Sequence, residues 1–318
     1  MILVANITNR CNMKCKMCDV GQGEKRNTFG RDIENEIFPD QWLKIVDRLG
    51  ATEVVFCGVE PLLYHDFENL VKLISKTRNL KMTTNGWFLE KYLHVIKGNF
   101  KQVTVSLDGT QDIHDKIRGV KGCFERAFRG LLSLKKLGVP VRVSFAITPE
   151  NTCCMVELFD ILHSQNIPII FNHFNYIHPE IAKRYELKQY NTKVYNAIDV
   201  NIEELYFAIS KLRKKAQWLP YLSTKEQLIK YYQSIPVRNG KGMCRVFLEQ
   251  LGNKRCIVGA DGTFIPGNRC WIDKSLGNAL DEPLTLPKDS KWLKEMVSSF
   301  EREGLPEPCY RLCCSKMK

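Results

Sequence analysis

Long apolar runs are missing from this 318-residue chain, and no stretch reaches the about 18 uninterrupted apolar residues that a membrane-crossing helix needs. No basic-then-apolar stretch precedes Ile2-Leu3-Val4-Ala5-Asn6-Ile7, which reads directly as a strand, so the expected compartment is the cytoplasm. Internal repeats and low-complexity segments are absent too, which excludes a solenoid or a disordered tail. Histidine is scarce, with six in all; His65 and His114 stand alone in polar surroundings and are read as hydrogen-bonded loop residues. Cysteine, by contrast, is abundant. Thirteen cysteines, an odd and clustered set without an export signal, make a poor disulfide framework and point to metal ligation in a reducing compartment.

Three of these cysteines, Cys11, Cys15 and Cys18, form a Cys-x3-Cys-x2-Cys run directly after the first apolar segment. Three thiolates suit three irons of a cubane cluster and leave the fourth iron open to bind and polarise another molecule. A zinc site would want a fourth Cys or His at short spacing, and the nearest candidates, Cys57 and His65, lie far down the chain. Zinc and inert thiols are the alternatives to iron–sulfur at this point.

With its landmarks in order, the run CNMKCKMC resembles that of the radical S-adenosylmethionine (radical SAM) enzymes. Gly58-Val59-Glu60-Pro61 stands where that family usually has Gly-Gly-Glu-Pro; Thr83-Thr84-Asn85-Gly86, Ser106-Leu107-Asp108-Gly109, His114-Asp115 and Arg118-Gly119 follow. The resemblance implies a [4Fe-4S] cluster on Cys11, Cys15 and Cys18 whose open iron is chelated by S-adenosylmethionine. Reductive cleavage of that cofactor would give a 5′-deoxyadenosyl radical that abstracts hydrogen from a substrate, with a flavodoxin or ferredoxin as electron donor. It further implies that Met17 meets the adenine edge, Glu60 the cofactor's amino group, Ser106 and Asp108 its ribose or methionine part, Arg118 its carboxylate, and Asn85 the same mouth. Val59 departs from the family pattern by placing a side chain where backbone usually passes the methionine moiety.

Organisation along the chain agrees with a parallel α/β fold. Short β-rich runs at Ile2 to Thr8, Glu53 to Cys57, Leu80 to Thr84, Gln102 to Leu107, Val139 to Ile147 and Ile167 to Phe174 alternate with amphipathic helical segments near 40–49, 66–78, 88–97, 122–137 and 153–165. This predicts a partial (β/α)6 TIM-like barrel over residues 1–180, with the motifs at the C-terminal strand ends where such barrels place their chemistry. Residues 181–238 read as a helical linker or lid. Residues 239–318 gather Cys244, Cys256, Cys270, Cys309, Cys313 and Cys314, and Cys256 to Cys270 reads as a hairpin turning at Asp261-Gly262. This segment resembles the SPASM or twitch auxiliary-cluster extension of the same family. Six cysteines cannot fill two four-cysteine sites, so one auxiliary [4Fe-4S] cluster is expected, on ligands drawn from Cys244, Cys256, Cys270, Cys309 and Cys313. Zinc and buried thiols are the alternatives. Cys57, Cys123, Cys153 and Cys154 fall on strand or helix patterns and are expected in the core.

The formal charge of +12 raises the question of nucleic acid, but two clusters on thiolates would remove roughly three units. The basic run Lys211 to Lys215 sits opposite Leu205, Ile209 and Leu212 and reads as a solvated helix face, so nucleic acid and membrane are not expected as partners. The short chain favours a small hydroxylated or amino-sugar-like substrate undergoing oxidation, dehydration or epimerisation. A ribosomally made precursor peptide is the alternative substrate.

Overall fold

The structure is a computed structural model that describes residues 1–18, 35–173, 199–215, 224–232, 249–265 and 275–303. Its first part is a regular alternation: β1 (Ile2–Asn6), α1 (Pro39–Arg48), β2 (Glu53–Cys57), α2 (Phe67–Ile74), β3 (Asn79–Thr84), α3 (Leu93–Ile96), β4 (Phe100–Ser106), α4 (Gln111–Arg118), α5 (Cys123–Lys136), β5 (Val141–Ile147), α6 (Met155–Ser164) and β6 (Ile169–His173). After these come α7 (Ile202–Lys215), α8 (Lys225–Tyr232), β7 (Arg255–Val258) and α9 (Lys291–Glu303). All neighbouring strands pair in parallel, in the order β6-β5-β4-β3-β2-β1-β7. No described helix is long and apolar enough to cross a membrane.

The alternation of residues along each strand sorts the sheet into two faces. Leu3, Val54, Phe56, Leu80, Val103, Val105, Val143 and Phe145 are fully buried on one of them. The helices cover that face: Phe56 meets Phe67 of α2 and Phe100 edge-on, at ring separations of 6.2 and 6.0 Å. Between these residues, in register across β4, β5 and β6, lie Thr104 with Arg142, Ser106 with Ser144, and Ala146 with Asn172. The second face is therefore polar toward the C-terminal strand ends, as expected of the interior of an incomplete barrel.

Two elements depart from the sequence reading. The helix α4 went unpredicted because its eight residues carry only Ile113 and Ile117 as apolar positions. A seventh strand, β7, lies within the segment expected to begin a separate domain, yet it pairs with β1 in register Leu3 to Cys256 and extends the barrel sheet. The turn at Asp261-Gly262 is present: Gly259 N donates to Thr263 O at 2.8 Å, and Gly262 takes a positive φ of 84°. The following segment is fastened to the barrel by Arg48, which donates to Ala279 O at 3.0 Å and pairs with Glu282 at 3.2 Å. Cys153, expected in the core, is exposed on the turn before α6, whereas Cys123 and Cys154 are buried.

Candidate active site at the strand ends

The loop after β1 is shaped by what holds its backbone. Lys14 N donates to Arg118 O at 3.0 Å and Lys16 N to Ile117 O at 2.9 Å, so the loop docks on the exposed carbonyls at the C-terminus of α4. Gly119 makes the approach possible. Its φ of 68° is left-handed, and a Cβ there would lie 2.6 Å from Lys14 O. Lys16 and Lys116 both reach Glu150, at 2.7 and 2.8 Å, closing a second tie between the loop, α4 and the β5–α6 connection.

Cys11, Cys15 and Cys18 gather on this loop with Met13, Met17, Cys123, Trp87 and Val120 around them. Burial pushes the Cys11 thiol up to about 12 and raises Cys15 as well, and in both cases neighbouring thiols add to the effect. Opposing this, Met13 N donates to Cys11 Sγ at 3.4 Å and Arg118 Nη1 lies 3.7 Å from Cys15 Sγ. A bound cation would favour the thiolates of Cys11 and Cys15, and donors are already aimed at both sulfurs; the donor set fits an iron–sulfur cluster. Among the described residues no three Cys, His, Asp or Glu side chains converge tightly enough to grip a single ion.

Of the other predicted site residues, Glu60 lies fully buried at the end of β2 and ties three segments together. It accepts from Leu62 N at 3.1 Å, Thr84 Oγ1 at 2.7 Å and Asn85 N at 2.7 Å, while its own N–H donates to Arg10 O on the loop after β1. Burial raises its pKa above the ordinary carboxylate value, and these three donors offset only part of the rise. Gly58 turns the strand end with φ 106°, where any Cβ would stand 2.8 Å from Asn6 Cβ. Asn85 donates to Asn12 Oδ1 at 2.9 Å, linking the end of β3 to the thiol loop. Asp108 is fully buried: Ala146 N donates to one oxygen at 2.8 Å, and Arg118 Nη2 reaches the other at 2.5 Å. Both of its oxygens thus face protein donors. Ser106 is partly exposed on the polar sheet face beside Ser144.

His114, not nominated from the sequence, is fully buried one helical turn before Arg118, and Asp108 N donates to its Nδ1 at 2.9 Å. Burial first, then the nearby Arg118 charge, hold its pKa well below the usual range; the ring is neutral and carries its proton on Nε2. Cys256 is buried in β7, level with Leu3 and so toward the end of the sheet opposite the thiol loop, with its Sγ 3.6 Å from Met1 Sδ. Cys244, Cys270, Cys309 and Cys313 lie outside the described residues, as does much of the 181–238 segment.

Residues 5–162 match the model of the Radical SAM superfamily. The chain is 32% identical over 184 residues to an Fe-coproporphyrin III synthase of Methanosarcina barkeri, covering 55% of this chain and 44% of that protein. It is 27% identical over 151 residues to the sporulation killing factor maturation protein SkfB of Bacillus subtilis, covering 46% and 35%. The chain thus spans less than half the length of either relative. Its fold matches Streptococcus suis SuiB bound to its precursor peptide SuiA with a TM-score of 0.66, at 15% identity, over 93% of this chain and 66% of that one.

Proposed function

Because the chain belongs to the radical SAM superfamily, we propose that it is an enzyme that holds a [4Fe-4S] cluster on Cys11, Cys15 and Cys18 and binds S-adenosylmethionine beside it. A cluster reduced there would cleave S-adenosylmethionine to methionine and a 5′-deoxyadenosyl radical that takes hydrogen from a substrate C–H bond. The observation that carries this reading is the loop itself: three thiols, Cys15 buried and Cys11 and Cys18 half-buried, with the Met13 N–H on one sulfur and the Arg118 guanidinium 3.7 Å from another.

The chain's own residues orient and insulate. Glu60 and Asn85 hold the ends of β2 and β3 against the thiol loop, and Asp108 holds Arg118 so that its positive charge stays beside Cys15. Ser106, with Met17 on the loop, is the free group that would touch the cofactor. The cofactor's carboxylate would take the remaining Arg118 N–H groups. An auxiliary cluster on cysteines of the 239–318 segment is part of the same proposal.

For the substrate, a modified peptide now stands ahead of the amino-sugar-like compound favoured by chain length. SkfB is named as a maturation protein and SuiB is seen with a precursor peptide. Anaerobic reconstitution tests the core of the proposal. Wild-type protein should bind iron and sulfide and release 5′-deoxyadenosine from S-adenosylmethionine under dithionite; Cys11→Ala, Cys15→Ala and Cys18→Ala together should lose about four irons and all release. Undiminished release from the triple variant would refute it.

A further inference from the structure

We infer that the polar face of the sheet carries an oxyanion-binding site, built on Arg142 with Ser144 and Asn172, that receives a carboxylate or phosphate group of the substrate. This deepens the proposed function by naming a chemical feature the substrate must carry.

Arg142 is the second residue of β5, in register with Thr104 and one step below the Ser106–Ser144 pair. Its Nε donates to Thr104 Oγ1 at 2.8 Å, and no carboxylate pairs with it among the described residues. That sets it apart from the other four partly buried arginines of the described chain. Arg48 meets Glu282 at 3.2 Å, Arg78 meets Asp47 at 2.8 Å, Arg118 meets Asp108 at 2.5 Å and Arg255 meets Glu249 at 3.1 Å. A guanidinium drawn out of bulk water without an anion forgoes the charge-assisted bonds that would offset its desolvation. Its two terminal nitrogens therefore remain as four N–H donors on a fixed fork, the geometry that matches a carboxylate or phosphate.

The neighbours add donors and no negative charge. Asn172 Nδ2 donates to Ser144 Oγ at 3.0 Å, so the serine hydroxyl, already accepting, keeps its own proton to give. Ser106 stands level with Ser144 on the adjacent strand. Ile170, which is 37% exposed, follows on β6 level with Ser144 and supplies an apolar flank. Asp108, which follows β4 and lies against β5 through the Ala146 N–H, is already neutralised by Arg118. Among the described residues, an anion entering the mouth would meet Arg142 without having to displace a carboxylate from it, on the same sheet face as Ser106.

The test reads the side chain itself. Cluster-loaded protein is treated with phenylglyoxal, and modification of each arginine is followed by peptide mass mapping while inorganic phosphate or glutarate is titrated in separate series. Arg142 should react in the absence of anion and be protected saturably, roughly tenfold, because a guanidinium held in two charge-assisted bonds is withdrawn from the reagent. Protection by glutarate alone identifies a carboxylate site, and by phosphate alone a phosphate site. Ser144→Ala should raise the half-protecting concentration severalfold while leaving the unprotected reaction rate of Arg142 unchanged. An Arg142 that never reacts, that reacts equally with and without both anions, or that is protected no more than the exposed Arg126 and Arg129 overturns the site. The measurement does not depend on the cluster: saturable protection in a chain that takes up no iron would uphold the anion site and remove the proposed radical chemistry.

Discussion

Gly119 shows how one residue without a side chain governs the thiol loop. A methyl group at this position would collide with Lys14 O at 2.6 Å, and the left-handed φ of 68° adds strain of its own. Gly119→Ala is therefore expected to lower iron uptake severalfold while the helical circular-dichroism signal stays near that of wild type; full iron uptake would show that the loop finds its shape without α4. Glu60 is the opposite case, a side chain whose value lies in accepting three bonds at once. In Glu60→Gln an amide N–H₂ must face either the Asn85 N–H or the Leu62 N–H and Thr84 hydroxyl, leaving at least one buried donor unmatched. The expected loss is about 1 to 3 kcal/mol of stability, read as a lower urea midpoint at unchanged slope. A midpoint equal to wild type would mean that these bonds are replaced by water.

At the scale of elements, a polar contact ties α8 to the end of β6. His173 Nδ1 lies 2.8 Å from Tyr232 Oη, and the rings of Tyr231 and Tyr232 flank the imidazole at 5.6 and 5.7 Å. Burial lowers the His173 pKa from its ordinary 6.5 to about 4. The unfolded chain takes up this proton below 6.5 and the folded chain only near 4, so the contribution of the neutral ring is complete above pH 6.5 and is lost as the pH falls from 6.5 toward 4. Its upper bound is about 1.4 kcal/mol per pH unit within that window, reduced by the ring's partial exposure. His173→Phe should flatten the fall in urea midpoint between pH 7 and 4.5; an equal fall in both proteins would place the acid sensitivity elsewhere. Strands and long helices of the barrel were legible because their apolar residues recur at the right period and the buried face leaves no choice of register. The helix α4 was not, since its eight residues bury little, although Asp112, Lys116, Arg118 and the terminal Gly119 are the charge and cap signals of a short helix. Cys11, Cys15 and Cys18 could be found from spacing alone. The partners that hold Glu60 and Asp108 could not, because the contacts of Thr84 and Ala146 depend on strands meeting across the sheet. Arg142 and Ser144 were readable as polar positions within Val141-Arg142-Val143-Ser144-Phe145, but only the pairing partners show that the arginine meets no acid among the described residues.

For the molecule as a whole, the proposal divides iron between two places. A reconstituted chain should carry about eight irons, and replacing Cys270 and Cys309 by Ala should remove about half while slow, substrate-free release of 5′-deoxyadenosine continues. Four irons in wild type would leave the 239–318 segment without a cluster. The seven-stranded order has a further consequence for how the molecule breathes. Because β7 adds to β1, the strand that leads into the thiol loop has hydrogen-bonded neighbours on both sides, and among the described strands the ends of the sheet fall to β6 and β7. Amides of Leu3 to Ala5 should therefore exchange with deuterium only through openings near the global unfolding free energy, while those of β6 exchange through cheaper local fraying. The loop that gathers the three thiols would then hang from the slowest-opening part of the protein, and it would keep its shape through fluctuations that loosen the far wall of the barrel.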